Sequence, residues 1–189
     1  MNTIVIDDIF PQLETKRLIL KEINEKDSED IFEIFSSEEV LKYYDIDPLK
    51  KLEEATDLIQ GLNKRFKNKK GIRWGIYLKG IDKLIGTCGF HSLDKQSLRA
   101  EVGYELSKDF WGQGIMKEAL EAIINFGFNT MSINRIQALV VAGNNNSLSL
   151  LKKIGFVKEG ILLEYEYCRG KIEDFAILAL LKRESKGRL

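Results

Sequence analysis

Apolar and polar positions along the chain form two kinds of run, alternating stretches and stretches with three- and four-residue spacing, and the two interleave. Thr15-Lys16-Arg17-Leu18-Ile19-Leu20-Lys21 alternates and predicts a first strand. Asp27 then stands as an N-cap before Ile31, Ile34 and Phe35, the apolar side of a short helix. Leu52, Ala55, Ile59, Leu62 and Phe66 keep helical spacing and predict a second helix, closing at the basic Lys64, Arg65 and Lys67. Trp74–Leu78 and Leu84–Phe90 read as strands joined by a turn at Gly80-Ile81-Asp82-Lys83, and Ala100–Leu106 as another after a polar connection around Asp94.

From Ile115 onward Met116, Ala119, Leu120, Ile123 and Gly127 share one helical face, while Lys117, Glu118, Glu121 and Asn125 fall on the other. Arg135–Val141 is a further strand, ending at Gly143-Asn144-Asn145-Asn146-Ser147. Leu148, Leu151 and Ile154 then predict a short helix with Gly155 at C′. Leu162–Tyr167 and Ile172–Leu180 pair as a hairpin across Cys168-Arg169-Gly170-Lys171. The order β-α-α-β-β-β-α-β-α-β-β is a mixed α/β layer fold, with neither repeats nor a linker.

The long helix is entered through Phe110-Trp111-Gly112-Gln113-Gly114-Ile115-Met116-Lys117-Glu118-Ala119. A side-chain-free loop opening a helix presents several backbone N–H groups and the positive end of the dipole, a seat for phosphate or pyrophosphate. A plain Gly-rich turn before a helix is the other reading of the same residues. A P-loop would need a Lys-Ser/Thr pair closing a longer glycine frame, and none is present. A dinucleotide fingerprint would need Gly where Lys117 stands, and a parallel βαβ unit around it.

Composition narrows the setting. At 189 residues the chain reads as one domain, with a core over about 13–181 and a basic tail over 182–189 that is expected to fray. With 29 Lys+Arg against 29 Asp+Glu, net charge argues for neither nucleic acid nor a membrane surface. Acids do cluster between Glu22 and Glu39, which suits a cationic partner or a solvated helix face. Two cysteines, Cys88 and Cys168, with no leader or long apolar run, point to a reducing cytoplasm without a disulfide. A single histidine, His91, leaves no metal-ligand set, and following a strand it reads as a loop hydrogen-bonder.

This order of elements resembles the GNAT acyl-CoA N-acyltransferase superfamily and, within it, the branch containing the bacterial ribosomal-protein N-terminal acetyltransferases. The resemblance covers Leu13 to Leu181. It rests on Glu14–Leu20 as the opening strand, Leu84-Ile85-Gly86-Thr87-Cys88-Gly89 as the third strand and Ala100-Glu101-Val102-Gly103-Tyr104 as the fourth. Phe110–Ala119 matches the pyrophosphate loop and helix, and Asn144-Asn145-Asn146-Ser147 with Leu151–Phe156 the segment beside the thiol. One departure stands out: Asp109 occupies the position where the general superfamily loop begins with Gln or Arg, so no arginine reaches the pyrophosphate from there.

The resemblance implies a mostly antiparallel sheet of about seven strands flanked by helices, with a splay between the fourth and fifth. It implies acetyl-CoA as cosubstrate, with no metal, and an amine as acceptor: a protein N-terminus or a small amine such as a polyamine or aminoglycoside. It also allows a homodimer. Its donor contacts map onto Trp111, Gly112, Gln113, Gly114, Ile115, Met116 and Lys117 for the pyrophosphate. Exposed backbone at Tyr104, Glu105 and Leu106 maps to the pantetheine arm, and Asn144 to the pantetheine amides.

Acyl transfer from a thioester to an amine needs a neutral amine and a stabilised thiolate. Glu101 is the expected base, directly or through water, against the alternatives of a solvent-facing strand carboxylate or a structural partner for Arg99 or Arg135; Glu105 shares its strand parity and is the weaker candidate base. Ser147 is the expected donor to the thiolate, with helix capping as the alternative for it and Asn144, and Tyr165 or Tyr167 as competitors. Cys88 lacks the support a nucleophile needs, which favours direct transfer. Trp111 and Phe110 are expected to pack the loop against the sheet, with flanking the carrier as the alternative for Trp111, and Tyr43 and Tyr44 to line the acceptor pocket or wedge the first two helices. The competing functional class is a non-catalytic acyl-CoA sensor; nucleotide binding at the same loop is a third.

Overall fold

A computed structural model describes residues 3–185. Its strands are β1 (Leu13–Glu14), β2 (Leu18–Glu22), β3 (Ile72–Leu78), β4 (Leu84–Asp94), β5 (Arg99–Leu106), β6 (Arg135–Val141), β7 (Val157–Cys168) and β8 (Lys171–Leu181). Its helices are α1 (Ser28–Phe35), α2 (Leu52–Lys67), α3 (Ile115–Asn129), α4 (Asn145–Ile154) and α5 (Lys182–Ser185). The strands form one sheet in the order β1-β2-β3-β4-β5-β6-β8-β7. The eighth strand, beyond the seven expected, is the two-residue β1, too short to leave an alternating pattern. The expected fourth and fifth strands are therefore β5 and β6.

Every neighbouring pair is antiparallel except β5 and β6. Those two run parallel and pair only at Arg99↔Arg135, Ala100↔Ile136 and Glu101↔Gln137. Beyond Glu101 they part, which is the splay. Ser107 N–H donates to Ile85 O on β4, so by alternation Tyr104 and Leu106 turn their backbone groups away from β4 and into the gap. Glu105 turns its backbone groups toward β4.

Side-chain alternation gives the sheet two unlike faces. Ala100, Val102 and Leu106 of β5, with Ile136, Ala138 and Val140 of β6, pack against Met116, Leu120 and Ile123 of α3 and Leu151 and Ile154 of α4. Each such fully buried Ile or Leu contributes about 1.5–3 kcal/mol. On the opposite face α1 and α2 cover β2 to β4 through Ile31, Ile34, Phe35, Ala55 and Ile59, packed on Ile23, Tyr77 and Leu84. Tyr43 covers Leu139, Val141 and Phe175 on that same face.

Several local expectations change. Asp27 does sit at the N-cap of α1, but its carboxylate accepts from Asn24 N–H at 2.9 Å, closing a preceding 3-10 turn, Glu25–Asp27, instead of capping α1. The strand carrying His91 runs four residues past Phe90, so His91 lies within β4 and not in a loop. Of the tail expected to fray, Lys182–Ser185 form a helical turn anchored by Lys182 N–H to Asn134 O at 2.9 Å; residues 186–189 lie outside the described residues. Gly155 closes α4 in the left-handed region, φ 110°, and Arg169-Gly170 turns the hairpin with both φ positive.

Candidate active site

Where β5 and β6 part, Glu101 projects onto the face shared with α1 and α2. Its neighbours across the strands are His91 on β4 and Gln137 on β6. Gln137 Nε2 donates to Glu101 Oε2 at 3.3 Å, and His91 Nδ1 lies 3.8 Å from Oε1. Neither arginine that the sequence offered as a structural partner claims this carboxylate. Arg99 pairs with Asp94 at 3.3 Å, and Arg135 grips Glu159 with two bonds of 2.7 and 2.6 Å. Burial holds the His91 imidazole below its ordinary pKa, with Glu101 working against that and Arg73 for it.

Glu105 lies four residues on and is committed elsewhere. Its buried carboxylate accepts from the Arg73 guanidinium and from Thr87 Oγ1 at 2.6 Å, while Arg73 Nε donates to Thr87 Oγ1 at 2.9 Å. Gly103, between the two glutamates, leaves room for Arg73 Nη1 and His91 Nε2, which stand 3.0 and 3.3 Å from where its Cβ would be. A row of charged and polar groups thus runs across the sheet from Glu101 to Thr87.

Tyr104 has the opposite parity and points under α4. Its hydroxyl lies 2.6 Å from Ser147 Oγ. Burial pushes the Tyr104 phenol up to about 12, the hydrogen bond with Ser147 working the other way, so it stays a donor. Asn144 performs the capping: its Oδ1 accepts from Ser147 N–H at 3.1 Å, which leaves the Ser147 hydroxyl free for Tyr104. Tyr165 and Tyr167 lie exposed on β7, Tyr165 against Phe175. The sequence offered those two tyrosines as proton donors and Tyr104 for its backbone alone, not for its hydroxyl. The available signal was its place in the even, apolar series of β5 with Ala100, Val102 and Leu106.

The Tyr104 and Leu106 carbonyls, which face the splay, are already engaged, as is that of Gly143 beyond β6. Tyr44 hydroxyl donates to Tyr104 O at 2.7 Å, Trp111 Nε1 to Leu106 O at 2.8 Å, and Tyr43 hydroxyl to Gly143 O at 3.2 Å. Tyr43 and Tyr44 therefore reach the site and do more than wedge helices. Trp111 is half exposed, and Phe110 packs on the core. Much of the acidic Glu22–Glu39 stretch is spent on structure: Asp30 accepts from Leu84 N–H, Glu33 pairs with Lys83, Glu38 with Arg169 and Glu39 with Lys108. Burial pushes the Cys88 thiol up to about 12, which removes it as a thiolate nucleophile at neutral pH.

At the head of α3, Gly112 and Gly114 take φ of 74° and 72°. The N-cap, Gly114, has no side chain to cap the helix, and the N–H groups of Ile115, Met116 and Lys117, at its first turn, have no helical partners. Among the described residues nothing lies within 4 Å of a Cβ built on Gly112, and near Gly114 only Arg17 Nη2 does, at 3.7 Å. An open surface of orphan donors at a helix N-terminus fits a diphosphate. Lys117 pairs with Glu121 at 2.7 Å, and Gln113 Nε2 donates to Asp109 O at 3.0 Å. Among the described residues no cluster of three or more metal-ligating side chains occurs, and no helix is long and apolar enough to cross a membrane.

Comparisons with known proteins show the family and the fold. A sequence profile for the acetyltransferase (GNAT) domain matches residues 17–157. The uncharacterized N-acetyltransferase YoaA of Bacillus subtilis is 40% identical over 174 residues, 92% of this chain and 98% of that one. The [ribosomal protein uS5]-alanine N-acetyltransferase of Escherichia coli is 31% identical over 120 residues, 63% of this chain and 62% of its own. The solved structure of the microcin C7 self-immunity acetyltransferase MccE, in complex with acetyl-CoA and AMP, is similar in fold. Its TM-score is 0.81 at 22% identity, covering 88% of this chain and 93% of that one.

Proposed function

Because the chain belongs to the acetyltransferase (GNAT) family and is an N-acetyltransferase, we propose that it moves the acetyl group of acetyl-CoA directly to a protein N-terminal α-amine of the ribosomal-protein kind. Acetyl-CoA use is general to the family, so the acceptor is the part that needs argument. The donor supplies an acetyl group already activated as a thioester. The remaining tasks fall to this chain's own residues.

In this reading the N–H groups from Gly112 to Lys117 hold the diphosphate, with the α3 dipole behind them. The N–H groups of Tyr104 and Leu106 face the splay and serve the pantetheine arm, with Asn144 beside it. Glu101 takes the proton of the incoming amine, directly or through one water. Ser147 Oγ, hydrogen-bonded to Tyr104, delivers a proton to the departing thiolate and is reprotonated by the second proton that the amine nitrogen loses on becoming an amide. Glu101 and Tyr104 point to opposite faces of one strand, so acceptor and donor approach from opposite sides and meet at the splay.

The observation that carries this reading is the Glu101 carboxylate, claimed by neither Arg99 nor Arg135, at the point where β5 and β6 part. Such a carboxylate suits an α-amine. Removing a proton at pH 7 costs about 1 kcal/mol from an α-amine of pKa about 7.8, against about 5 kcal/mol from a lysine of pKa about 10.4. The relative that acts on a ribosomal-protein alanine supports the same acceptor class.

The test is thiol release from acetyl-CoA with three acceptor sets: peptides carrying ribosomal-protein N-termini, polyamines, and aminoglycosides. Turnover concentrated in the peptides is expected. Turnover confined to a small amine overturns the acceptor assignment, and CoA binding without turnover on any amine favours the sensor.

A further inference from the structure

The donor loop has Asp109 at the first position, where Gln or Arg would stand in the general superfamily loop, so no arginine reaches it from there. An arginine nonetheless reaches the loop from ninety-six residues away. Between β1 and β2 the chain turns on Thr15, whose N–H donates to Leu18 O at 3.0 Å and whose Oγ1 accepts from Leu18 N–H at 2.9 Å. That turn docks on the first turn of α3 through Glu118. Glu118 Oε1 accepts from Thr15 Oγ1 at 2.6 Å and from Arg17 N–H at 2.8 Å, and its Oε2 accepts from Arg17 Nε at 2.6 Å. With Nε held, the guanidinium fork extends past Glu118, and Nη1 donates to the Gln113 carbonyl at 3.0 Å.

That last bond fixes a peptide plane. In a trans peptide the C=O and the following N–H point in opposite directions, and the plane turns only as a unit. Holding the Gln113 oxygen back toward the β1–β2 turn therefore aims the Gly114 N–H outward, to the side where Ile115, Met116 and Lys117 present theirs. The Gln113 side chain is pinned as well, by its bond to Asp109 O. Gly114 needs this control, because with φ at 72° and no Cβ its peptide flips at little cost.

We infer that Arg17 is a positioning residue of the donor site: held by Glu118, it orients the Gln113–Gly114 peptide so that the Gly114 N–H meets the donor's diphosphate. The inference rests on the proposed placement of that diphosphate at the head of α3. The Glu118 carboxylate offsets the Arg17 charge, so the contribution is one of geometry and not of net field.

Binding of CoA and of pantetheine, which lacks the diphosphate, tests it without any turnover assay. Calorimetry measures CoA and ligand-observed NMR measures pantetheine, on wild type, Arg17→Ala and Glu118→Gln, each confirmed folded by its melting curve. Both variants are expected to lose about tenfold in CoA affinity, the loss of one amide hydrogen bond to a charged ligand, with pantetheine unchanged. An unchanged CoA affinity in Arg17→Ala overturns the inference, and so does an equal loss for pantetheine. Tighter CoA binding by Glu118→Gln also overturns it, since a released guanidinium would then be touching phosphate itself. If Arg17→Ala does not fold, Glu118→Gln decides alone. Wild type that binds no CoA removes the proposed donor site, and the inference with it.

Discussion

Tyr104 and Ser147, forty-three residues apart, share a hydrogen bond of 2.6 Å between their hydroxyls. One of the two donates within the pair and the other is left to donate outward. Because burial keeps the Tyr104 phenol protonated well above neutral pH, the pair always holds two protons at pH 7 and can lend one to a thiolate. Ser147→Ala is expected to lower kcat about a hundredfold at saturating acceptor, within the usual range for a positioned general acid. Tyr104→Phe should lower it in the same direction. If the two act as a unit, the double variant is no worse than the poorer single one. Thiol-release rates on the three variants check this, and near-full kcat in Ser147→Ala rules out its assigned role.

Glu101→Gln makes a prediction about pH as well as rate. Below about pH 8 an α-amine is mostly protonated and needs a base; above that it is mostly neutral and does not. The variant should therefore lose about a hundredfold in kcat near pH 7 and recover part of the loss above about pH 8.5. A pH–rate profile that drops uniformly would assign Glu101 to binding or structure.

Legibility of these residues in the sequence followed the range of the interactions that place them. Local signals carried far: Arg135–Val141 has the same bounds in sequence and structure, and Gly155 closes α4 as its residue type suggests. The splay became legible only through resemblance, because three paired residues followed by divergence leave no trace in a hydropathy pattern. Glu101 stands where β5 and β6 part, and Asn144 and Ser147 open α4 beside β5. What Asn144 and Ser147 touch depends on α4 lying over β5, a tertiary fact. Arg17 and Arg73 were invisible as functional candidates for the same reason. Arg17 meets Gln113 across ninety-six residues, and Arg73 meets Glu105 across two strand registers.

The Arg73–Glu105 pair yields a stability prediction. Side-chain exposure is 14% for Arg73 and 5% for Glu105, so removing either leaves a buried charge without its partner. Arg73→Ala is expected to cost about 3–5 kcal/mol, read as a lower denaturant midpoint. An apolar double replacement, Arg73→Met with Glu105→Leu, should recover much of that loss, because no charge is then stranded. If the double variant is as unstable as Arg73→Ala, packing and not charge dominates at this site.

Glu118 sets the acid limb of stability. Burial opposes its ionisation, but hydrogen bonds from Thr15 and Arg17 outweigh burial and hold the carboxyl below its ordinary value of 4.5. A carboxyl lowered in the folded state binds its proton less readily there than in the unfolded chain. Its contribution is therefore fully present above about pH 5 and disappears as pH falls through the folded value, below 4.5. Thr15→Val keeps the shape and removes one of the bonds that lower this value. The variant should be less stable than wild type at pH 7, and the gap should narrow as pH drops below about 4. Urea denaturation of both proteins at pH 7, 5, 4 and 3 measures the gap directly. A gap that stays constant across that range would mean the Thr15 hydroxyl stabilises the β1–β2 turn alone, through Leu18 N–H, and contributes nothing through Glu118.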